Sequence, residues 1–168
     1  MEAAAIAAIK TIGPSIAAGI NFKIAHDLSY QVVNGVNNII SIEISHPDVN
    51  TLINDLDIIA SLKTIKSILI DLNKNSNKFG NTINLCISNL NDIVKEIETI
   101  LNDINIIVFN HNKSWWAYVY KYPDISKEIS NIKALKNKLN NRIELLTKII
   151  TIEMQTSILS QNINNNDE

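Results

Sequence analysis

The 168-residue chain has few of the residues that usually mark a catalytic or secreted protein. Its single cysteine, Cys86, excludes an internal disulfide, so the fold does not depend on an oxidising compartment. With three prolines and four glycines, it has little turn chemistry and no Gly-rich phosphate loop. It also lacks a basic surplus. Fifteen Lys and Arg face 17 Asp and Glu, a net charge of −2, which argues against a general nucleic-acid binder. No stretch reaches 18 uninterrupted apolar residues, and the run from residue 3 to 9 is too short to span a bilayer. The start, Met1-Glu2, lacks the cationic opening of a secretory signal. A soluble, cytoplasmic protein is the expectation.

Catalytic constellations are equally scarce. His26, His46 and His111 fall in three different segments, none at metal-ligand spacing with another His or with Cys86. Cys86 lies on an apolar stripe, where a packed thiol is the ordinary reading. The pair Asp55 and Asp57 is too sparse for an ion site. The expectation is a non-enzyme with no cofactor and no metal.

Hydrophobic residues are plentiful, at 46%, and charged residues make up 19%, so the chain is globular. The 33 Ile and 25 Asn reflect AT-rich coding rather than chemistry. Periodicity then decides the fold class. Ile83, Ile87, Leu90, Val94, Ile97, Leu101, Ile104 and Val108 step by four and three without a miss. Cys86, Ile93, Ile100 and Ile107 add a second row every seven residues. Ile125, Ile129, Ile132, Leu135, Leu139, Ile143, Leu146 and Ile150 repeat the logic in the last segment. Leu52, Leu56, Ile59, Ile65, Ile68 and Leu72 supply a stripe for residues 49–74. Residues 16–42 offer Ile16, Ile20, Ile24, Leu28, Val32, Val36, Ile39 and Ile42.

Ile and Val favour strands by propensity, but strands need a period of two over short windows. The stripes therefore predict an all-α domain: an up-down bundle of four long helices. A short N-terminal helix breaks at Gly13-Pro14, because Pro14 has no amide to donate. Pro47 and Pro123 stand near first helical turns, with Asp48 and Asp124 as capping acids. Residues 1–160 form the single domain, and 161–168 a polar tail or the start of a linker.

Three features stand out as functional candidates. Trp115, Trp116, Tyr118, Tyr120 and Tyr122 are five of the nine aromatics, within eight residues. They suit either a plug at the end of a bundle or a patch at a half-wet boundary. Between Lys113 and Lys148, eight basic residues face Asp124, Glu128 and Glu144. On a helix, Lys127, Lys138, Arg142 and Lys148 share an outer side, either a plain solvated face or one drawn to anionic lipid. Residues 1–20 carry one acid, Glu2, and one base, Lys10, among Ala, Ile and Gly. Such a segment reads as a core helix or as one able to enter lipid.

Together these features resemble the HeLo and MLKL-type N-terminal bundles of regulated cell-death proteins. The residues that carry the resemblance are the Ala/Gly/Ile segment 3–20 and Lys113-Ser114-Trp115-Trp116-Ala117. Tyr118 to Tyr122 and then Asp124-Ile125-Ser126-Lys127-Glu128-Ile129 follow. They are similar to the fungal pattern of Lys-Ser/Thr-x-Trp-Ala, an aromatic and a closing amphipathic helix, with a slightly longer interval before that helix. The resemblance implies a membrane-permeabilising domain held inactive by a regulatory domain or protein outside this chain. On release it self-associates, moves to anionic membrane lipids, the plasma membrane above all, and inserts its N-terminal helix. Ile6, Ile9, Ile12, Ile16 and Ile20 would insert, and Lys133, Lys136, Lys138 and Arg142 would contact headgroups. A non-lytic adaptor or oligomerisation bundle and a host-interaction bundle are the other readings.

Overall fold

The computed structural model describes residues 26–75 and 80–164, and among them every regular element is helical. The first helix, α1, covers residues 26–41. It is followed by α2 (Pro47–Asp55), α3 (Ile58–Asn75), α4 (Asn81–Asn112), a 3-10 turn (Trp115–Tyr118) and α5 (Ser126–Asn164). The expected break at Gly13-Pro14 and the short helix before it lie outside the described residues.

The eight-position stripe of α4 is buried at every member, from Ile83 through Val108. In its second row Cys86 and Ile93 are buried, while Ile100 and Ile107 are partly covered. Val32, Val36 and Ile39 of α1 and Ile132, Leu135, Leu139 and Leu146 of α5 complete the core around it.

Helix neighbours can be read from side-chain pairs. Gln31 meets Asn91 and Asn38 meets Glu98, while the backbone just past α1 at Ser45 bonds Asn105. The offset is constant, so α1 and α4 run in the same direction. They approach closely where Gly35 faces Val94: a Cβ on Gly35 would stand 2.7 Å from Val94 Cγ1. By contrast α4 and α5 run oppositely, since Gly80 before α4 lies against Glu153 and Glu96 shares a groove with Leu135. Lys66 of α3 bonds Asn37 of α1, and Lys136 of α5 reaches the start of α3.

The segment 49–74 departs from the single helix expected. Leu56 and Asp57 interrupt it, and Asp57 takes a positive φ of 51°. A left-handed residue resets the helical phase, so a stripe drawn straight through it lands on the wrong face. Val49 and Ile53 of α2 and Ile58, Leu62, Ile65 and Leu69 of α3 are the buried set. Of the expected stripe only Ile65 is fully buried, and Leu52, Leu56, Ile59, Ile68 and Leu72 pack at its margin. Pro47 stands at the first turn of α2 beside Asp48, as its missing N–H and the helix dipole favour.

Candidate functional site

The connector between α4 and α5 is built from local hydrogen bonds. The amides of Lys113 and Ser114 donate to the carbonyls of Asn110 and His111, 3.2 and 2.9 Å, closing α4. Ser114 Oγ also donates to the His111 carbonyl at 2.8 Å. At the far side, Asp124 Oδ1 accepts from the Ser126 amide at 3.0 Å and from Ser126 Oγ at 2.6 Å. These bonds favour the ionised carboxyl and hold Asp124 below its ordinary pKa.

Two histidines fix the middle. His111 Nε2 lies 2.7 Å from the Tyr120 carbonyl, so that nitrogen carries the proton and donates. His46, at the start of α2, is 3% exposed and packs its ring 5.0 Å from that of Tyr122. Sequence reasoning assigned neither histidine a role. No spacing rule links residue 46 to 122, but a histidine at the end of a helix next to an aromatic loop is a signal for His111.

Held this way, the connector leaves Trp115, Tyr118 and Tyr120 largely exposed. Tyr118 is 95% exposed, Trp115 62%, and Val119 and Tyr120 are similarly open, with Phe109 exposed on the last turns of α4. This overturns the plug reading for Trp115, Tyr118 and Tyr120. Tyr122, on His46, is the most covered of the exposed aromatics. Trp116 lies in the 3-10 turn beside Trp115. Cations border the patch. Lys113 Nζ stands 3.9 Å from the centroid of the Phe109 ring, and Lys121 Nζ 5.5 Å from that of Tyr122.

The expected headgroup residues divide. Lys133, Lys138 and Arg142 are exposed on α5. Lys138 and Arg142 line two open grooves of about 460 and 440 Å³ between α4 and α5, which they share with Glu96 and Asp92. Lys136 is corrected outright. It is 8% exposed, and its ammonium donates to the Asp57 carbonyl at 3.3 Å and to Ser61 Oγ. Burial lowers its pKa, with the Asp57 carboxylate opposing the shift. It pins the α2–α3 break from the inside. Lys127 and Lys148 are exposed, and Lys148 is paired to Glu144 at 2.6 Å.

Cys86 is buried, and the loss of water raises its thiol pKa against the pull of Arg142. A buried, protonated thiol is a poor nucleophile. Among the described residues no cluster of His, Cys, Asp and Glu could hold a metal ion, and no helix is long and apolar enough to cross a membrane. The expected inserting residues Ile6, Ile9, Ile12, Ile16 and Ile20 lie outside the described residues. No protein-family model matches the chain, and neither does any curated protein or solved structure.

Proposed function

We propose that the chain is a membrane-targeting helical bundle of the cell-death executioner kind. In this reading α1, α3, α4 and α5 form an up-down bundle, supported by the parallel register of α1 with α4 and the antiparallel register of α4 with α5. The observation that carries the function is the connector: Trp115, Tyr118, Val119 and Tyr120 stand in solvent between Lys113 and Lys121. Each of the four is more than half exposed, and a cluster of exposed apolar side chains on one short loop is the mark of an interaction surface. Aromatic rings with a polar tip suit the headgroup layer, and flanking lysines are each worth about 1 kcal/mol near an anionic surface.

The parallel register of α1 with α4 sets the start of α1 away from this connector, which follows the other end of α4. Residue 26 is level with Cys86, about 40 Å from the end of α4 at 1.5 Å per residue. A bundle standing on its aromatic tip would hold the N-terminal segment far from the bilayer. The exposed cations Lys127, Lys138 and Lys148 run along α5 between the two ends, so the bundle lies flat with α5 toward the lipid. The protein then waits in the cytoplasm, self-associates on release by a regulator outside this chain, and permeabilises the plasma membrane through residues 1–20.

Dye release from vesicles containing anionic lipid tests this. The executioner reading expects leakage by the full chain and none after deletion of residues 1–20, with helicity of the remainder retained. Absence of leakage by the full chain, together with self-association in sedimentation, supports the adaptor reading instead.

A further inference from the structure

The core is not filled where two interruptions of the chain meet. Helix α1 ends at residue 41, and the corner between α2 and α3 turns at Asp57. Between them lies a cavity of about 180 Å³ to which all five α-helices contribute. Ile39 of α1, Ile53 of α2, Ile58 of α3, Leu101 of α4 and Ile132 of α5 form the buried part of its wall. Protein cores seldom leave a void larger than a water molecule. Here the side-chain types explain why one persists. Nine of the twelve lining residues are isoleucines, and β-branching holds a helical isoleucine in one strongly preferred χ1 well. Such walls cannot swing inward to close the space.

The lining also says what the cavity suits. Among the described residues no charged side chain lines it. Lys136, one turn along α5 from Ile132, has its ammonium bound to the Asp57 carbonyl and Ser61 Oγ. The two polar members, Asn50 and Asn54, stand one turn apart on α2 and are exposed, so they form a rim at the solvent side. Asn50 Nδ2 donates to the Ile44 carbonyl at 2.9 Å, which leaves its side-chain oxygen as an acceptor. A buried water needs about two to four polar partners, and a Leu/Ile/Phe-lined cavity of about 150 Å³ engineered in another protein stays dry and takes benzene. On that scale 180 Å³ holds about six carbon atoms.

We propose that this cavity binds an uncharged alkyl group of about six carbons, with its polar end at the Asn50 and Asn54 rim. An Asn amide both donates and accepts, so the rim suits a hydroxyl or an ester and offers an ionised head no counter-charge. A free small alcohol and the end of a longer lipid chain share this chemistry and differ in what must pass the rim. Because all five helices line the cavity, a ligand held there favours their folded arrangement over the unfolded chain. The site stands without the membrane reading and uses none of the aromatic connector's residues.

Methyl NMR on the full chain, labelled at the isoleucine δ1 carbons, tests this with 1-hexanol as the probe. Saturable shifts are expected at Ile53, Ile58 and Ile132, and none at Ile83, a buried isoleucine in the first turn of α4 outside the cavity. From 1-butanol to 1-hexanol, each added methylene should tighten binding about fourfold. Leu101→Phe, which fills the space, should weaken 1-hexanol binding by roughly tenfold or more, the equivalent of about two methylenes, with helicity retained. Ile97→Phe fills it from the preceding turn of α4 should Leu101→Phe misfold. Binding of 1-decanol at least as tight as that of 1-hexanol assigns the site to the end of a lipid chain, and loss of binding beyond 1-hexanol assigns it to a free small alcohol. Shifts that never saturate, that appear equally at Ile83, or that survive unchanged in a folded filled variant overturn the proposal. None of these measurements uses vesicles, so failure of the site and failure of the membrane reading are separate outcomes.

Discussion

Replacing Gly35 by alanine probes the closest approach of α1 to α4. In an isolated helix the change would stabilise by about 1 kcal/mol, because glycine is a poor helix former. Here the new methyl would sit 2.7 Å from Val94 Cγ1, inside van der Waals contact. Val94 is fully buried, and a β-branched side chain in a helix has essentially one χ1 well, so it cannot swing aside. Overpacking of this kind costs about 1–3 kcal/mol. The two terms leave a net destabilisation of roughly 0–2 kcal/mol for Gly35→Ala. Val94→Ala alone should cost about 2 kcal/mol, through two lost methyl groups and the space they leave. In the double variant the methyl added at 35 occupies the space vacated at 94. Its loss should fall short of the sum of the single losses by about 1 kcal/mol or more. Urea unfolding followed by circular dichroism at 222 nm gives all three values. Additive losses, or a Gly35→Ala protein stabilised by the full helix-propensity gain, would refute the close contact of α1 with α4.

Lys136→Ala should destabilise by about 1–3 kcal/mol in the same assay, since it strips a charged donor from the Asp57 carbonyl and Ser61. Lys136→Met, which keeps the packed stem, should lose less. Because burial depresses the Lys136 pKa, the folded state holds that proton less tightly than the unfolded chain. Wild-type stability relative to Lys136→Met should therefore rise as pH climbs toward 10.5 and stay level near neutrality. Asp124 has the opposite sense. Its depressed carboxyl supports the start of α5 above pH 3.8, and the support disappears as pH falls through the lower folded value, seen as earlier acid fraying that Asp124→Asn abolishes. Reversing Lys127, Lys138 and Lys148 to Glu should weaken sedimentation with anionic vesicles and leave helicity intact, and equal binding by the variant would remove α5 from the membrane face.

The parts of the fold that were legible in the sequence are those where one helix runs without interruption. All eight stripe positions of α4 are buried, because a 32-residue helix keeps its phase and each step of three or four returns to the same face. The α2–α3 break was not legible, since positive φ at Asp57 has no marker as clear as Gly or Pro. Lys136 was misread for a different reason. Counting charge along the chain grouped it with Lys133 and Lys138, yet it sits four residues after Ile132 and three before Leu139, on the apolar stripe itself. Its spacing marked it as inward-facing, and what it meets inside depends on α3, some 75 residues away in sequence. For the aromatic connector, the sequence located the cluster but left open which way it points. That direction is set by His46 and His111, which tether Tyr122 and the Tyr120 carbonyl and leave Trp115 and Tyr118 outside.

The chain's two tryptophans, Trp115 and Trp116, both lie in this connector, so tryptophan emission, excited selectively over tyrosine, reports on it alone. Titrating the full chain with vesicles of anionic and of zwitterionic lipid at low salt, and again at high salt, measures the central claim directly. A membrane-facing connector gives a blue shift and brightening on anionic vesicles, little change on zwitterionic ones, and loss of the effect as salt shortens the Debye length from about 10 Å toward about 3 Å. Emission that stays at its aqueous maximum on anionic vesicles at low salt would contradict it.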